Sequence, residues 1–214
     1  METLELMPVR VRITAILKKA IYSGEYKSGE ELSLTKVASQ LGVSRTPVRE
    51  AFQALAAEGL ITLRMNKGAI VNQIDQKFIK DTFEMRILLE SEAAARAAAN
   101  GMDTSMLLKR LHAMERQTGQ LNKKDYELLN QDIHMAIWNA ADNQKLKSYL
   151  LELWNGPSTG RSVSDEESHF RQSTAEHICI LRHIQAGQAE EAKKAMADHI
   201  SRSMNNILKA YETV

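Results

Sequence analysis

A single cysteine, Cys179, is all the thiol the chain contains. No disulfide can form within it, which fits a reducing compartment, and a cytoplasmic protein is expected. Aromatic residues are scarce at 5%, while alanine, leucine, methionine, glutamate and lysine are plentiful, a balance that favours helices. No apolar run approaches the ~18 residues a membrane span needs, so no membrane partner is expected. The opening residues, METLELMPVR, have no basic start followed by an apolar core, and a secretory leader is not expected. Catalytic signatures are missing too: there is no HExxH, no Gly-rich phosphate loop and no Ser/His/Asp arrangement, so an enzyme is not expected. Nor is there a strong excess of charge. With 28 Lys/Arg against 27 Asp/Glu and no basic tails, the chain is a poor match for a non-specific architectural DNA binder, which relies on many phosphate contacts.

What is present supports one large domain or two small ones: 214 residues, 43% hydrophobic and 26% charged. The charge is uneven. Residues 1–72 hold 10 Lys/Arg against 7 Asp/Glu, a net +3, and the remainder holds 18 against 20, a net −2. Strand-like sequence occurs only near residues 60–73, where Leu60-Ile61-Thr62-Leu63 and Ala69-Ile70-Val71 flank a loop containing Asn66 and Gly68 and read as a hairpin. Helical spacing covers residues 9–22, 34–41 behind Ser33, and 45–58 behind Ser44. It resumes over about 76–99, 103–119, 123–141, 143–154, 166–186 and 188–211, punctuated by Asn100-Gly101, Gly119, Asp142 and Gly187. A boundary near 73–76 divides the chain into residues 1–74 and 75–214. The fold expected is mainly α: a winged helix-turn-helix, then an all-helical antiparallel bundle.

Two short helices meet at Gln40-Leu41-Gly42-Val43-Ser44-Arg45, a glycine-containing turn typical of a helix-turn-helix. Ser44 is placed to cap the second helix, and Pro47 sits in its first turn, where a missing N–H is harmless. Arg45 and Arg49, four residues apart, project from one face near the helix N-terminus, the end a recognition helix presents to the major groove. Arginine pairs bidentately with guanine or grips phosphate. Val48, Phe52 and Leu55 hold the opposite face on the domain. In the hairpin, Arg64 and Lys67 flank a turn whose Gly68 would let backbone approach DNA closely, as a basic wing does.

Ser44-Arg45-Thr46-Pro47-Val48-Arg49-Glu50-Ala51, then Leu55, Glu58-Gly59-Leu60-Ile61 and Asn66-Lys67-Gly68-Ala69-Ile70-Val71, resemble the GntR superfamily over residues 9–73. The resemblance implies a winged-helix domain that binds short palindromic operators in double-stranded DNA as a homodimer. It places Arg45, Thr46, Arg49 and the wing around Lys67 and Gly68 at DNA-contact positions, with Ser44 beside them. One departure is Thr35, where many members carry arginine.

All six histidines lie beyond residue 100. Asn130 and His134 are four apart and share a helix face, while His177 and His199 sit mid-helix among apolar residues. Spacing alone leaves two readings open: satisfied core histidines, or imidazoles converging on a metal inside a bundle. Phe83-Glu84-Met85-Arg86-Ile87-Leu88-Leu89-Glu90, Leu129-Asn130-Gln131-Asp132-Ile133-His134, Glu176-His177-Ile178-Cys179-Ile180-Leu181 and Ala197-Asp198-His199-Ile200 resemble the FCD effector domain, of the fatty-acid-regulator-like branch, over residues 76–205. That resemblance implies a divalent metal, Zn or Ni, on Asn130, His134, His177 and His199, with Arg86 facing a small organic-acid effector. Arg86 has a second reading, an ion pair with Glu90 four residues on. Ile133 stands where phenylalanine is usual, and Asn130 is a neutral ligand, leaving the ion and its ligands at +2 where Asp would leave +1. His112, His169 and His183 match nothing in the pattern, His183 is expected to be exposed, and Asp132 is expected to point to solvent. Trp138 and Trp154 are expected in the core or at an interface. The function implied is a transcription repressor whose operator binding responds to a small carboxylate.

Overall fold

The structure, a computed structural model, describes residues 7–65, 68–116, 122–154 and 163–211. Residues 7–79 form the bulk of one unit, and residues 80–153 with 163–206 form the bulk of a second. In the first, helix α1 (Val9–Tyr22) precedes strand β1 (Glu31–Leu32), helix α2 (Leu34–Leu41), helix α3 (Arg45–Ala57) and strands β2 (Ile61–Arg64) and β3 (Gly68–Val71). The sheet is antiparallel in the order β1-β3-β2, with Leu32 opposite Ala69 and Ile61 opposite Val71. The hairpin is the one expected. The third strand, β1, is an addition: two residues are too few to show any alternation.

The turn between α2 and α3 follows from Gly42. Its φ of 64° is left-handed, and Gly42 N donates to Ser39 O while Val43 N donates to Ala38 O, closing α2 with a Schellman motif. Ser33 caps α2 by accepting from Lys36 N at 3.4 Å. The matching cap expected from Ser44 does not form, although its backbone is extended as a cap requires. Counting from Ser44, the residue whose amide would normally donate is Pro47, which has no N–H. Val48, Ala51, Phe52 and Leu55 are buried, seating α3 on the core. Lys18 of α1 is buried and forms an ion pair with Glu58, just past α3, at 2.6 Å. Asn72 donates to Gly59 O at 2.8 Å and accepts from Thr62 Oγ1 at 2.7 Å, closing the base of the hairpin.

Gly68 has a structural reason of its own. Its φ is +94°, and a Cβ there would lie 2.0 Å from Leu32 O on β1. The glycine expected to let the wing approach DNA is needed first to let β3 approach β1.

The second unit is helical throughout its described residues: α4 (Gln76–Ala99), α5 (Ser105–Glu115), α6 (Lys123–Ala140), α7 (Gln144–Leu153), α8 (Val163–Gln185) and α9 (Ala189–Tyr211), α4 beginning and α9 ending outside the unit's bulk. Buried Ala93, Ala94, Ala97 and Ala98 give α4 a smooth face for close packing. Asn100 Nδ2 donates to Ala140 O at 2.8 Å, and Thr104 Oγ1 to Leu181 O at 3.3 Å. Asp132, expected in solvent, instead pairs with Arg110 at 2.7 Å and ties α6 to α5. Trp138 and Trp154 are buried. Gly119 lies outside the described residues. Among the described residues no helix is long and apolar enough to cross a membrane.

Gly68→Ala tests the sheet. Left-handed strain alone costs ~1–2 kcal/mol, and the collision with Leu32 O adds to it. Chemical denaturation followed by circular dichroism should show a loss of at least ~1 kcal/mol.

Candidate functional site

On the first unit, Ser44, Arg45, Thr46 and Arg49 are all exposed at the N-terminal end of α3, opposite its buried face. Gln53, one turn beyond Arg49, is exposed as well and extends the stripe. The sequence reading passed over it, though its spacing from Arg49 was visible. The Ser44 hydroxyl, unused as a cap, stays at the edge of this face. Gly68 is half-buried at the start of β3, and Lys67 lies outside the described residues. Arg64 on β2 is held by Glu31 at 2.8 Å.

On the second unit, the three histidines come together. His134 from α6, His177 from α8 and His199 from α9 are buried, and one ring nitrogen of each lies within 4.8 Å of the others. His134 Nε2 and His177 Nε2 are 3.4 Å apart. Two nitrogens bound to one zinc-sized ion at ~2.1 Å and a tetrahedral angle would stand about 3.4 Å apart. Asn130, one helical turn before His134, is 3% exposed, and its Nδ2 meets no hydrogen-bond partner among the described residues. The donor set and its spacing fit a divalent ion of the borderline kind.

The surroundings prepare the rings for that role. Glu90 of α4, fully buried, accepts from His134 Nδ1 at 2.5 Å. Glu176 of α8 accepts from His199 Nδ1 at 2.7 Å. A carboxylate can only accept, so each fixes the proton on Nδ1 and leaves Nε2 as the lone pair. Burial pushes the Glu90 carboxyl up, but His134 and Arg86 outweigh it and hold its pKa at about 2. Glu176 is likewise held below the usual carboxylate range, its burial outweighed by His199 and Arg202. Burial, reinforced by the neighbouring imidazoles, drives His177 well below the usual histidine range. His199 is lowered for the same first reason, partly offset by Glu176. Neutral imidazole is the form that binds metal.

Arg86 is buried and pairs with Glu90 through Nε at 3.0 Å and Nη2 at 2.6 Å, 5.1 Å from the Phe83 ring centroid. This is the ion-pair reading of that residue. Arg202 of α9 grips Glu176 through Nε at 2.6 Å and Nη2 at 2.7 Å, and its Nη1 lies 2.9 Å from His169 Nδ1. His169, which matched nothing in the sequence pattern, is thus part of the support. His183, expected to be exposed, is half-buried and bonds Gln188 Oε1 at 2.8 Å. Glu90, Glu176 and Arg202 were given no role in holding the histidines by sequence reasoning. The available signals were the adjacency of Glu176 to His177 and the i,i+4 spacing of Arg86 and Glu90 on α4. These groups leave the charge expected from the ligands alone unchanged, because the two carboxylates and two guanidinium groups around the imidazoles cancel in sum.

Comparison with known proteins agrees with both units. Residues 10–71 match bacterial regulatory proteins of the gntR family, and residues 81–202 match the FCD domain. The chain is 26% identical over 187 residues to the Nta operon transcriptional regulator of Aminobacter aminovorans, covering 87% of this chain and 88% of that one. It is 28% identical over 196 residues to the HTH-type transcriptional repressor RspR of Escherichia coli strain K12, covering 90% and 86%. The structure of E. coli McbR/YncC aligns with a TM-score of 0.65 at 19% identity, over 96% of this chain and 100% of that one, a likeness of fold. The metal-free FCD domain of TM0439 aligns at 0.52 and 19% identity, over 67% of this chain and 100% of that one. The chain belongs to the GntR family of bacterial transcription regulators, as a member that joins a DNA-binding helix-turn-helix to an effector-binding FCD domain and is not an enzyme.

Proposed function

We propose that the protein is a homodimeric repressor whose hold on a near-palindromic operator is modulated by a small carboxylate bound at a divalent-metal centre. The observation that carries this reading is the cluster of three buried imidazoles whose donor atoms lie within 4.8 Å of one another. Buried Glu90 and half-buried Glu176 orient two of them, His134 and His199. His134, His177, His199 and Asn130 would hold the ion, zinc or nickel by their nitrogen-rich chemistry. When bound, the ion supplies positive charge and open coordination positions suited to a carboxylate. Arg86 is the second anchor for the acid, a guanidinium already desolvated and fixed in direction by Glu90. The acid can shift operator binding only by preferring one arrangement of the protein over another.

Operator reading falls to Ser44, Arg45, Thr46, Arg49 and Gln53 on the exposed face of α3, with the wing at Lys67 and Gly68 meeting the backbone or minor groove. Arginine recognises guanine and glutamine recognises adenine by paired hydrogen bonds. Repression is supported by relatives named as repressors, including the gluconate operon transcriptional repressor of Bacillus licheniformis and the probable D-xylose utilization operon transcriptional repressor of Paenarthrobacter nicotinovorans. One recognition helix reads few base pairs, which favours two copies on a two-fold site.

Elemental analysis of protein purified without chelators should give one divalent ion per chain. His177→Ala should lose that ion and the response to the acid while still binding DNA. A wild-type protein that takes up neither zinc nor nickel would end the metal reading. Arg49→Ala should weaken operator binding by ~1–3 kcal/mol and relax preference at one base pair per half-site, read by gel shift across operator variants. Sedimentation should show a dimer on DNA; a monomer at saturation would contradict the two-fold arrangement.

A further inference from the structure

Two buried polar groups, one turn or less in sequence from a candidate histidine ligand, have no partner among the described residues. One is Asn130 Nδ2 on α6; the other is Thr174 Oγ1 on α8, whose residue is 2% exposed. Native interiors rarely leave such groups unsatisfied. Thr174 is the more telling. A helical threonine or serine can return its hydroxyl to a carbonyl one turn back, as Thr14 does to Arg10 O at 2.9 Å and Ser201 to Ala197 O at 2.7 Å. Thr174 makes no such bond.

Both groups fall, along their helices, between two side-chain contacts that join α6 and α8. On α6, Tyr126, Asn130 and His134 succeed one another at single-turn spacing and share a face. On α8, Thr174 is three residues before His177 and shares its face. Two contacts between these helices bracket them. Tyr126 Oη donates to Ser173 Oγ at 2.8 Å on one side, and His134 meets His177 on the other. Asn130 lies between the two contacts along α6, and Thr174 lies between them along α8. Ser173, beside Thr174, is held by a satisfied bond, while Thr174, three residues before the candidate ligand His177, is left with a donor and no acceptor among the described residues.

We infer that Thr174 Oγ1 and Asn130 Nδ2 are donors reserved for the effector, and that Thr174 is a specificity-determining residue of the pocket. This deepens the effector-pocket reading and rests on it. The ligand they fit presents oxygen acceptors on a small, acid-bearing frame. Asn130 can then act at both ends, Oδ1 toward an ion and Nδ2 toward the bound acid, which an aspartate at the same position could not do because it has no donor.

The test uses the full chain loaded with zinc and titrated calorimetrically with acetate, lactate and malate. Thr174→Val keeps the shape and removes only the hydroxyl. It should leave the zinc content unchanged and the free protein at least as heat-stable, because no hydrogen bond is lost. Its dissociation constant for the acid that binds the wild type tightest should rise at least tenfold, and Thr174→Ser should restore binding. Thr174→Val binding within twofold of wild type overturns the inference, as does a wild-type chain that binds none of the three acids. A wild-type chain that takes up no zinc, yet binds an acid in a Thr174-dependent way, sinks the metal centre and upholds the role of Thr174.

Discussion

Burial of three imidazoles within reach of one another is the constraint on which the helical unit depends. An imidazole out of water loses basicity, and a neighbouring imidazole deepens the loss, because a proton on one opposes a proton on the next. His177 and His199 are pushed down for this reason. Neutral rings still need a place for their N–H. Glu90 and Glu176 provide it, but a buried carboxylate without compensation would be far costlier than the imidazoles it serves. Arg86 and Arg202 meet that need from α4 and α9, through paired guanidinium contacts with one carboxylate each. The requirement thus spreads outward from the cluster, from imidazole to carboxylate to guanidinium, and recruits α4, α6, α8 and α9. Removing Arg86 would leave the fully buried Glu90 carboxylate with an imidazole as its remaining partner named here, at a cost greater than forming the pair gained.

The DNA-reading unit is governed by the opposite demand. Its working side chains must remain in water until DNA arrives, so rigidity comes from below. Buried Val48, Ala51, Phe52 and Leu55 fix α3, Gly42 sets its approach, and Lys18 fastens its far end through Glu58. Arg45 and Arg49 form none of the ion pairs seen for Arg64 with Glu31 or Arg86 with Glu90 among the described residues. Long side chains on a fixed helix lose entropy only when a base or phosphate repays it, which suits reversible binding.

Much of this was legible from sequence, and what was missed has identifiable physical causes. The helix-turn-helix could be read because its determinants are local: a glycine at the turn, a serine before each helix, and apolar spacing within two turns. The details that failed are those in which a second residue intervenes. Ser44 reads as a cap until Pro47 is recognised as lacking the amide to be capped. Gly68 carries a second, structural reason that the sequence hides, because β1, too short to leave a pattern, packs against it. The histidines were legible as candidates because each is polar in an apolar helical setting. Their supports were not. Glu90 and His134 are 44 residues apart, and Glu176 and Arg202 are 26 apart. No periodicity within a single helix reports a partner on another.

The ledger of charge around the histidines bears on what the pocket can hold. The three imidazoles are neutral ligands and Asn130 adds no charge, so an ion placed there would keep its full formal charge among them. Glu90 and Glu176 do not reduce it in sum, because Arg86 and Arg202 return the same amount. Unlike a site with a ligating carboxylate, this one leaves the neutralising charge to be brought from outside, and an anion is the natural source. The unpartnered Asn130 amide and Thr174 hydroxyl point the same way: each is a donor whose burial costs about 1–3 kcal/mol in the free protein, a cost recovered when an oxygen acceptor arrives. A cost carried by the free protein and relieved by an acceptor becomes preference for the ligand-bound form, and this would give a ligand at the imidazoles leverage over the four helices that meet there.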